Sequence, residues 1–108
     1  TMPGPLAQQF DTLSHLLRQT ISLLEESDER VWVSYLKRGL RQVDEHRLSG
    51  ATFILGCYGG QDTFSAVVIA KQWEHAAPIQ FKNANARLGR LRDDIFASAS
   101  AIASRRHW

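Results

Sequence analysis

Apolar residues near the start of the chain recur at the spacing of an α-helix. Pro5 suits the first turn of such a helix, because its missing N–H needs no partner there. Residues 25–28 break the pattern, and we expect Ser27 or Asp28 to cap a second helix. The six apolar residues are spaced by three or four positions and would share one helix face: Leu6, Phe10, Leu13, Leu17, Ile21 and Leu24.

A second apolar stripe follows the polar break and predicts another helix before residue 48. Because only a few residues join the two segments, we expect residues 6–47 to pack as an antiparallel helical hairpin. The residues expected on the buried face are Trp32, Leu36, Leu40 and Val43, with Val33 and Tyr35 beside them.

A third stripe predicts a C-terminal helix that packs against this hairpin. We expect the helix to begin near Asn83 or Asn85, with residues 71–82 forming a loop before it. The small residues of 97–103 would allow close packing on a neighbouring helix or on a second copy of the protein. The residues of the stripe are Leu88, Leu91, Ile95, Ala99 and Ile102.

The segments 51–58 and 63–70 are too short for periodicity to decide between helix and strand. We favour a short helix in each, because an isolated strand would have no partner. A β-hairpin over 51–70 is the alternative, since residues 67–69 are all β-branched. The predicted fold is a small all-α bundle of four or five helices with a Gly-rich turn. It would form one domain over 1–108, with residues 1–4 cloning-derived or disordered.

Composition limits the class of protein. A chain of 108 residues with 44% hydrophobic and 22% charged residues can build one modest core. The formal net charge is +2, and five arginines against two aspartates fall in residues 83–108. Cys57 is the single cysteine, which excludes an intrachain disulfide and favours a reducing compartment. No apolar run is long enough to span a membrane, so we expect a cytoplasmic protein without a membrane partner.

Few residues suggest catalytic or metal chemistry. The glycines at 56, 59 and 60 could cradle a phosphate, but no lysine or arginine lies beside them, and we favour a tight turn. Cys57 has no histidine at a recognisable spacing and is interpreted as a small core residue. We therefore expect no enzyme activity, no metal and no cofactor. A catalytic or small-molecule site at 56–63 is the least favoured hypothesis, and burial of Cys57 would count against it.

Residues 55–69, LGCYGGQDTFSAVVI, resemble a motif in a family of small bacterial proteins that have no assigned activity. The motif is an aromatic–Gly–Gly turn followed by Ser/Thr and Phe/Leu. Gly59, Gly60 and residues 63–65 match it, whereas Asp62 replaces a common glycine and Ala66 replaces a usual acidic residue. The resemblance implies a helical fold. It also implies a role as an immunity protein, because small bacterial proteins of this kind are often encoded beside toxins.

The leading functional hypothesis is a non-enzymatic protein-binding module of immunity or antitoxin type. Such a protein neutralises a partner toxin by occluding its site and needs only a stable scaffold with a complementary surface. A homodimer through the last helix would be compatible with this role. The contact residues expected to project from the turn and the loop are Tyr58, Gln61, Asp62, Thr63 and Trp73.

Nucleic-acid binding is the alternative function. It would use the arginines of the last helix, Arg87 and Arg90, which share one face. Acidic residues interrupt this basic stripe, and no helix-turn-helix signature is present. We therefore consider nucleic acid a less favoured partner than protein.

Overall fold

The computed structural model describes residues 4–58 and 63–104, which form four α-helices and two 3₁₀ turns and contain no strand. The all-α prediction is confirmed, and the alternative β-hairpin over 51–70 is wrong. Gly59 and Gly60 of the expected turn lie outside the described residues. The helices are α1 (Gly4–Glu26), α2 (Arg30–Asp44), α3 (Leu48–Leu55) and α4 (Pro78–Ala103), and the 3₁₀ turns are Phe64–Ala66 and Lys71–Trp73.

Each helix packs against two others and surrounds one apolar core. Helix α1 contacts α2 and α4, and α3 contacts the same two helices from its own side of the bundle. Every residue of the stripes predicted for α1 and α4 is buried. The α1–α2 hairpin is also confirmed, and ion pairs Arg18–Asp44 and Lys37–Glu25 join its two helices. The bundle is elongated, at 51 × 24 × 19 Å.

The expected cap of α2 is wrong, whereas α1 has Pro5 in its first turn as predicted. Gly4, which we expected with residues 1–3 to be cloning-derived or disordered, is the first residue of α1. Neither Ser27 nor Asp28 caps α2, which begins after Glu29 without a side-chain cap. Asp28 has a φ of 59°, a left-handed conformation that aspartate tolerates better than most residues. Asp28 therefore lies in the turn between α1 and α2. Its carboxylate accepts a hydrogen bond from the Arg30 side chain and does not cap α2.

Helix α4 begins earlier than the sequence suggests. Pro78 occupies its first turn, where proline is well tolerated. Asn83 and Asn85, the expected caps, lie inside the helix. The loop predicted for 71–82 therefore ends at Ala77, and it contains the second 3₁₀ turn.

Of the two central segments, only the first is an α-helix. Close contact between α3 and α2 is possible because Gly50 has no side chain: a Cβ there would lie 2.7 Å from the Val43 nitrogen. Segment 63–70 forms one 3₁₀ turn and then continues without regular structure, so the helix predicted there is wrong. Its β-branched residues disfavour a helix, and its backbone groups are bonded by side chains of α4 instead.

Candidate functional site

Asn85 of α4 holds segment 63–70 by pairing with both backbone groups of Ile69. The Asn85 Oδ1 accepts a hydrogen bond from the Ile69 N–H at 2.9 Å. The Asn85 Nδ2 donates to the Ile69 carbonyl at 2.9 Å and to the Phe81 carbonyl at 2.8 Å. One side chain thus gives Ile69 the two bonds that a neighbouring strand would otherwise supply.

Arg92 holds the same segment two turns further along α4. Its Nη1 donates to the carbonyls of Phe64 at 3.1 Å and Val67 at 2.9 Å. Hydrogen bonds from a charged donor are stronger than neutral ones. The Phe64 N–H in turn donates to the Cys57 carbonyl at 2.9 Å. The segment therefore has a defined position although it is not a helix or a strand.

Tyr58 is a packing residue rather than a projecting one. Its hydroxyl donates to the Arg92 carbonyl at 2.7 Å. Its ring meets Phe64 and Phe96 edge-on, with centroids 5.6 and 5.1 Å away. Burial raises the pKa of the Tyr58 phenol above its ordinary value, and the nearby Arg92 charge offsets this only in part. The expectation that Tyr58 projects as a contact residue does not fit these contacts.

The other predicted contact residues are not gathered in one place. Thr63 lies on the held segment, with its hydroxyl 2.9 Å from that of Ser65. Trp73 lies in the second 3₁₀ turn and is 44% exposed, in keeping with an aromatic residue of a surface loop. Gln61 and Asp62 lie outside the described residues. Thr63 borders a cavity whose lining does not include Trp73.

The arginines of α4 divide into two roles. Arg87 and Arg90 are exposed and form no ion pair within the described part of the chain. Arg92 is instead directed at backbone carbonyls. Because Asp93 and Asp94 are also exposed on this helix, the basic surface expected for nucleic acid is short.

Cys57 lies in the core, as its apolar neighbours predict. Its thiol donates to the Phe53 carbonyl at 3.6 Å, and burial raises the pKa of the thiol. The cavity it borders is lined by aromatic residues and Gly56, without a histidine or a carboxylate. Within residues 4–58 and 63–104, no group of three or more histidine, cysteine or acidic side chains could hold a metal. This arrangement counts against Cys57 as a nucleophile.

Sequence reasoning missed a surface that aromatic residues form on α2 and α3. Tyr35 is 44% exposed, although we expected it beside the buried stripe. Trp32 is half-buried, and its ring lies 5.3 Å from that of Tyr35 and 5.6 Å from that of Phe64. Phe53 of α3 lies beside this pair and is also half-buried. We call Trp32, Tyr35, Phe53 and the half-exposed Val68 the Trp32 surface.

Two cavities adjoin Trp32 and make this surface concave. The first, of about 390 Å³, is lined by Trp32, Tyr35, Phe53, Gly56 and Cys57. The second, of about 460 Å³, lies between Trp32 and the held segment and is lined by Glu29, Trp32, Thr63, Ala66, Val67, Val68 and Lys71. Thr63, a predicted contact residue, therefore belongs to the edge of the Trp32 surface.

The charges around the Trp32 surface are unevenly distributed. Helix α3 carries no charged residue. On α2, the Arg38 guanidinium lies 5.8 Å from the centre of the Tyr35 ring. Glu29 and Lys71 border the second cavity, so a carboxylate and an ammonium group face it together. The first cavity is thus lined by uncharged residues, and the Arg38 guanidinium lies beside one of them, Tyr35.

A local signal for this surface was present in the sequence. Successive helical residues are turned by about 100° because a helix has 3.6 residues per turn. Tyr35 therefore lies well off the line of the stripe through Leu36, Leu40 and Val43. Aromatic residues are enriched and charged residues depleted at the centres of interfaces, so Trp32 and Tyr35 followed by an uncharged helix could have indicated this surface.

Comparisons with protein-family models, with curated proteins and with solved structures give no match for this chain. None of the helices in the described ranges has both the length and the apolar character needed to cross a bilayer.

Proposed function

We propose that this protein is a non-enzymatic protein-binding module of the bacterial immunity type, which neutralises a partner toxin by covering its site. The observation that carries the proposal is the Trp32 surface. It combines half-exposed Trp32, Tyr35 and Phe53 with two cavities. Tryptophan and tyrosine are enriched among the residues that dominate binding energy, and the centre of an interface is depleted of charge.

The scaffold suits binding by occlusion. Such binding is most effective when the surface keeps its shape before the partner arrives, because little order then has to be gained. One edge of the Trp32 surface comes from segment 63–70, which Asn85 and Arg92 hold through its backbone. The other edge comes from α2 and α3, which are packed closely at Gly50. Both edges are therefore held by contacts within the protein itself.

The proposal is tested by capture of the partner and by inhibition of its activity. The purified protein is used as bait in a lysate of the source bacterium, beside Tyr35→Glu and the matched control Ile79→Glu. Ile79 is also an exposed apolar residue, but it lies at the start of α4 and borders neither cavity. We expect the wild type and Ile79→Glu to recover the same stoichiometric protein, and Tyr35→Glu to lose it.

The recovered protein must then be inhibited. Loss of a dominant aromatic contact weakens binding by about 2 kcal/mol or more, which is roughly 30-fold. The Tyr35→Glu variant should therefore inhibit the toxin's activity only at a concentration at least about 30-fold higher than the wild type needs. A partner that keeps full activity in the complex, or that binds Tyr35→Glu like the wild type, would refute the proposal. Recovery that ribonuclease or nuclease abolishes would instead favour the nucleic-acid alternative through Arg87 and Arg90.

A further inference from the structure

We infer that the Trp32 surface binds an acidic segment of its partner, which inserts a large apolar side chain beside Tyr35 and places a carboxylate against Arg38. This inference rests on the proposed function and adds the chemistry of the partner. It depends on two independent features of the surface, the lining of its first cavity and the pairing of the cations on α2.

The first cavity fits an apolar anchor. Its lining contains three aromatic rings, a glycine and a thiol, and no charged group. Gly56 contributes no side chain to the lining. The Cys57 thiol is already bonded to the Phe53 carbonyl, so it offers little to a polar ligand. A leucine or an aromatic side chain therefore suits this depression better than a polar one.

The cations of the α1–α2 hairpin indicate the charge of the partner. Six basic residues lie between positions 18 and 47, and four of them pair with a carboxylate of the same chain. Arg38 and Arg41 are the two that form no ion pair in the described part of the chain. Both are exposed on adjacent turns of α2, and Arg38 lies over the ring of Tyr35, which lines the cavity. This unpaired charge is complementary to an acidic partner.

The spacing of the two features limits the partner segment. Tyr35 and Arg38 are three residues apart on α2, which is about 4.5 Å along the helix axis at 1.5 Å per residue. A carboxylate can reach Arg38 while its neighbour fills the cavity only if the two lie within about one helical turn of each other. The acidic residue of the partner therefore lies close to its apolar anchor.

The test uses two synthetic peptides as probes and the ¹⁵N-labelled protein. Both peptides are blocked at their ends and carry the same two leucines and one tryptophan; the remaining positions are glutamate in one and lysine in the other. We expect the glutamate peptide to shift the signals of Trp32, Tyr35 and Phe53 and to bind at least ten-fold more tightly than the lysine peptide. Added salt should reduce this preference, because it screens exposed charges.

Charge reversal provides the matched comparison. Arg38→Glu should reverse the preference, so that the lysine peptide binds more tightly. Arg87→Glu makes the same change of charge on α4, away from both cavities, and should leave the preference as it is. Arg38→Gln keeps most of the side chain without its charge, and should reduce the preference several-fold. It remains informative if Arg38→Glu folds poorly.

Two results would overturn the inference. One is equal binding of both peptides. The other is a preference for the glutamate peptide that does not depend on the Trp32 surface, either because this peptide shifts the signals of residues elsewhere or because Arg38→Glu keeps the preference. Neither result affects the proposed function, which fails separately if the captured partner is not inhibited. If the partner is inhibited but its binding is insensitive to Arg38→Glu, the proposed function stands and the inference of an acidic partner segment is wrong.

Discussion

Helix α1 and segment 63–70 both contact α4, but different interactions hold them. Helix α1 buries its whole predicted stripe, and each fully buried leucine or phenylalanine contributes about 1.5–3 kcal/mol. Its backbone groups are bonded within the helix itself. Segment 63–70 buries Phe64 and Ile69, but three of its carbonyls and one N–H are bonded by side chains that lie 16 to 28 positions away in sequence.

This difference decides whether each region can form its backbone hydrogen bonds without the rest of the bundle. An amphipathic helix needs only a partner for its apolar face, since its hydrogen bonds form locally. Segment 63–70 needs Asn85 and Arg92 in place before its backbone is satisfied. Because Thr63 and Val68 border the second cavity, the shape of the Trp32 surface depends on these two polar side chains.

The largest effect should come from removing Arg92. Arg92→Ala eliminates two hydrogen bonds from a charged donor, and it leaves the Phe64 and Val67 carbonyls without those donors. We expect the free energy of unfolding in urea to fall by about 3 kcal/mol, since such bonds contribute about 1.5–3 kcal/mol each. Arg87→Ala, on the exposed side of the same helix, should change it by less than about 0.5 kcal/mol. Similar small losses in both variants would contradict the role assigned to Arg92.

Asn85→Ala should loosen segment 63–70 more than it destabilises the bundle. We expect a loss of about 2 kcal/mol, because three hydrogen bonds disappear while alanine improves helix propensity. Hydrogen exchange provides the decisive measurement. The Ile69 amide should lose protection, whereas amides in the middle of α1 should keep most of theirs. Asn83→Ala is the matched control, and an Ile69 amide that stays equally protected would disprove the pairing.

The helices were predictable because their signal is local. The stripes of α1 and α4 follow a period of 3.6 residues, and burial of one face is enough to explain them. Asn85 was misread as a cap because asparagine favours that position and nothing nearby shows its real partner. Its bonds to Ile69 cross 16 positions, and their existence depends on the folded bundle. The irregular course of 63–70 could not be predicted for the same reason.

The candidate surface was predicted only in part. Thr63 and Trp73 were chosen by residue type and loop position, and only Thr63 borders the Trp32 surface. Tyr35 was missed although its position off the buried stripe is a local signal. Phe53 was missed because its exposure depends on how closely α2 and α3 approach. That approach depends on Gly39 and Gly50, since a Cβ at Gly39 would lie 2.5 Å from the Ile54 Cδ1 and a Cβ at Gly50 would lie 2.7 Å from the Val43 nitrogen. The sequence pattern indicates which helices form, whereas the packing between the helices decides which aromatic side chains remain exposed to solvent.

Tyr58→Phe should have a smaller effect that depends on pH. The variant loses the hydrogen bond to the Arg92 carbonyl, which contributes about 1 kcal/mol at neutral pH. Burial raises the pKa of folded Tyr58, whereas a tyrosine in the unfolded chain ionises near pH 10. The contribution of Tyr58 is therefore complete below about pH 10 and decreases as the pH rises further.

Urea denaturation at pH 7 and pH 11 measures this dependence. The wild type should lose more stability than Tyr58→Phe between these two values, so the difference between them should shrink or change sign. Tyr35→Phe removes an exposed hydroxyl and is the matched control at pH 7, where it should change stability by less than about 0.5 kcal/mol. A Tyr58→Phe variant that keeps its full deficit at pH 11 would contradict the raised pKa.

The smallest expected effect is a gain from Gly89→Ala. Gly89 lies inside α4, beside Phe96, and a Cβ there would meet no atom within 4 Å. Alanine should therefore stabilise the protein by about 0.5–1 kcal/mol, because glycine is the poorer helix former. Gly50→Ala should instead destabilise it by about 1–3 kcal/mol through overpacking, since its Cβ would press on the backbone of α2. Thermal unfolding of both variants checks the opposite signs, and a lower melting temperature in Gly89→Ala would contradict the open space beside Gly89.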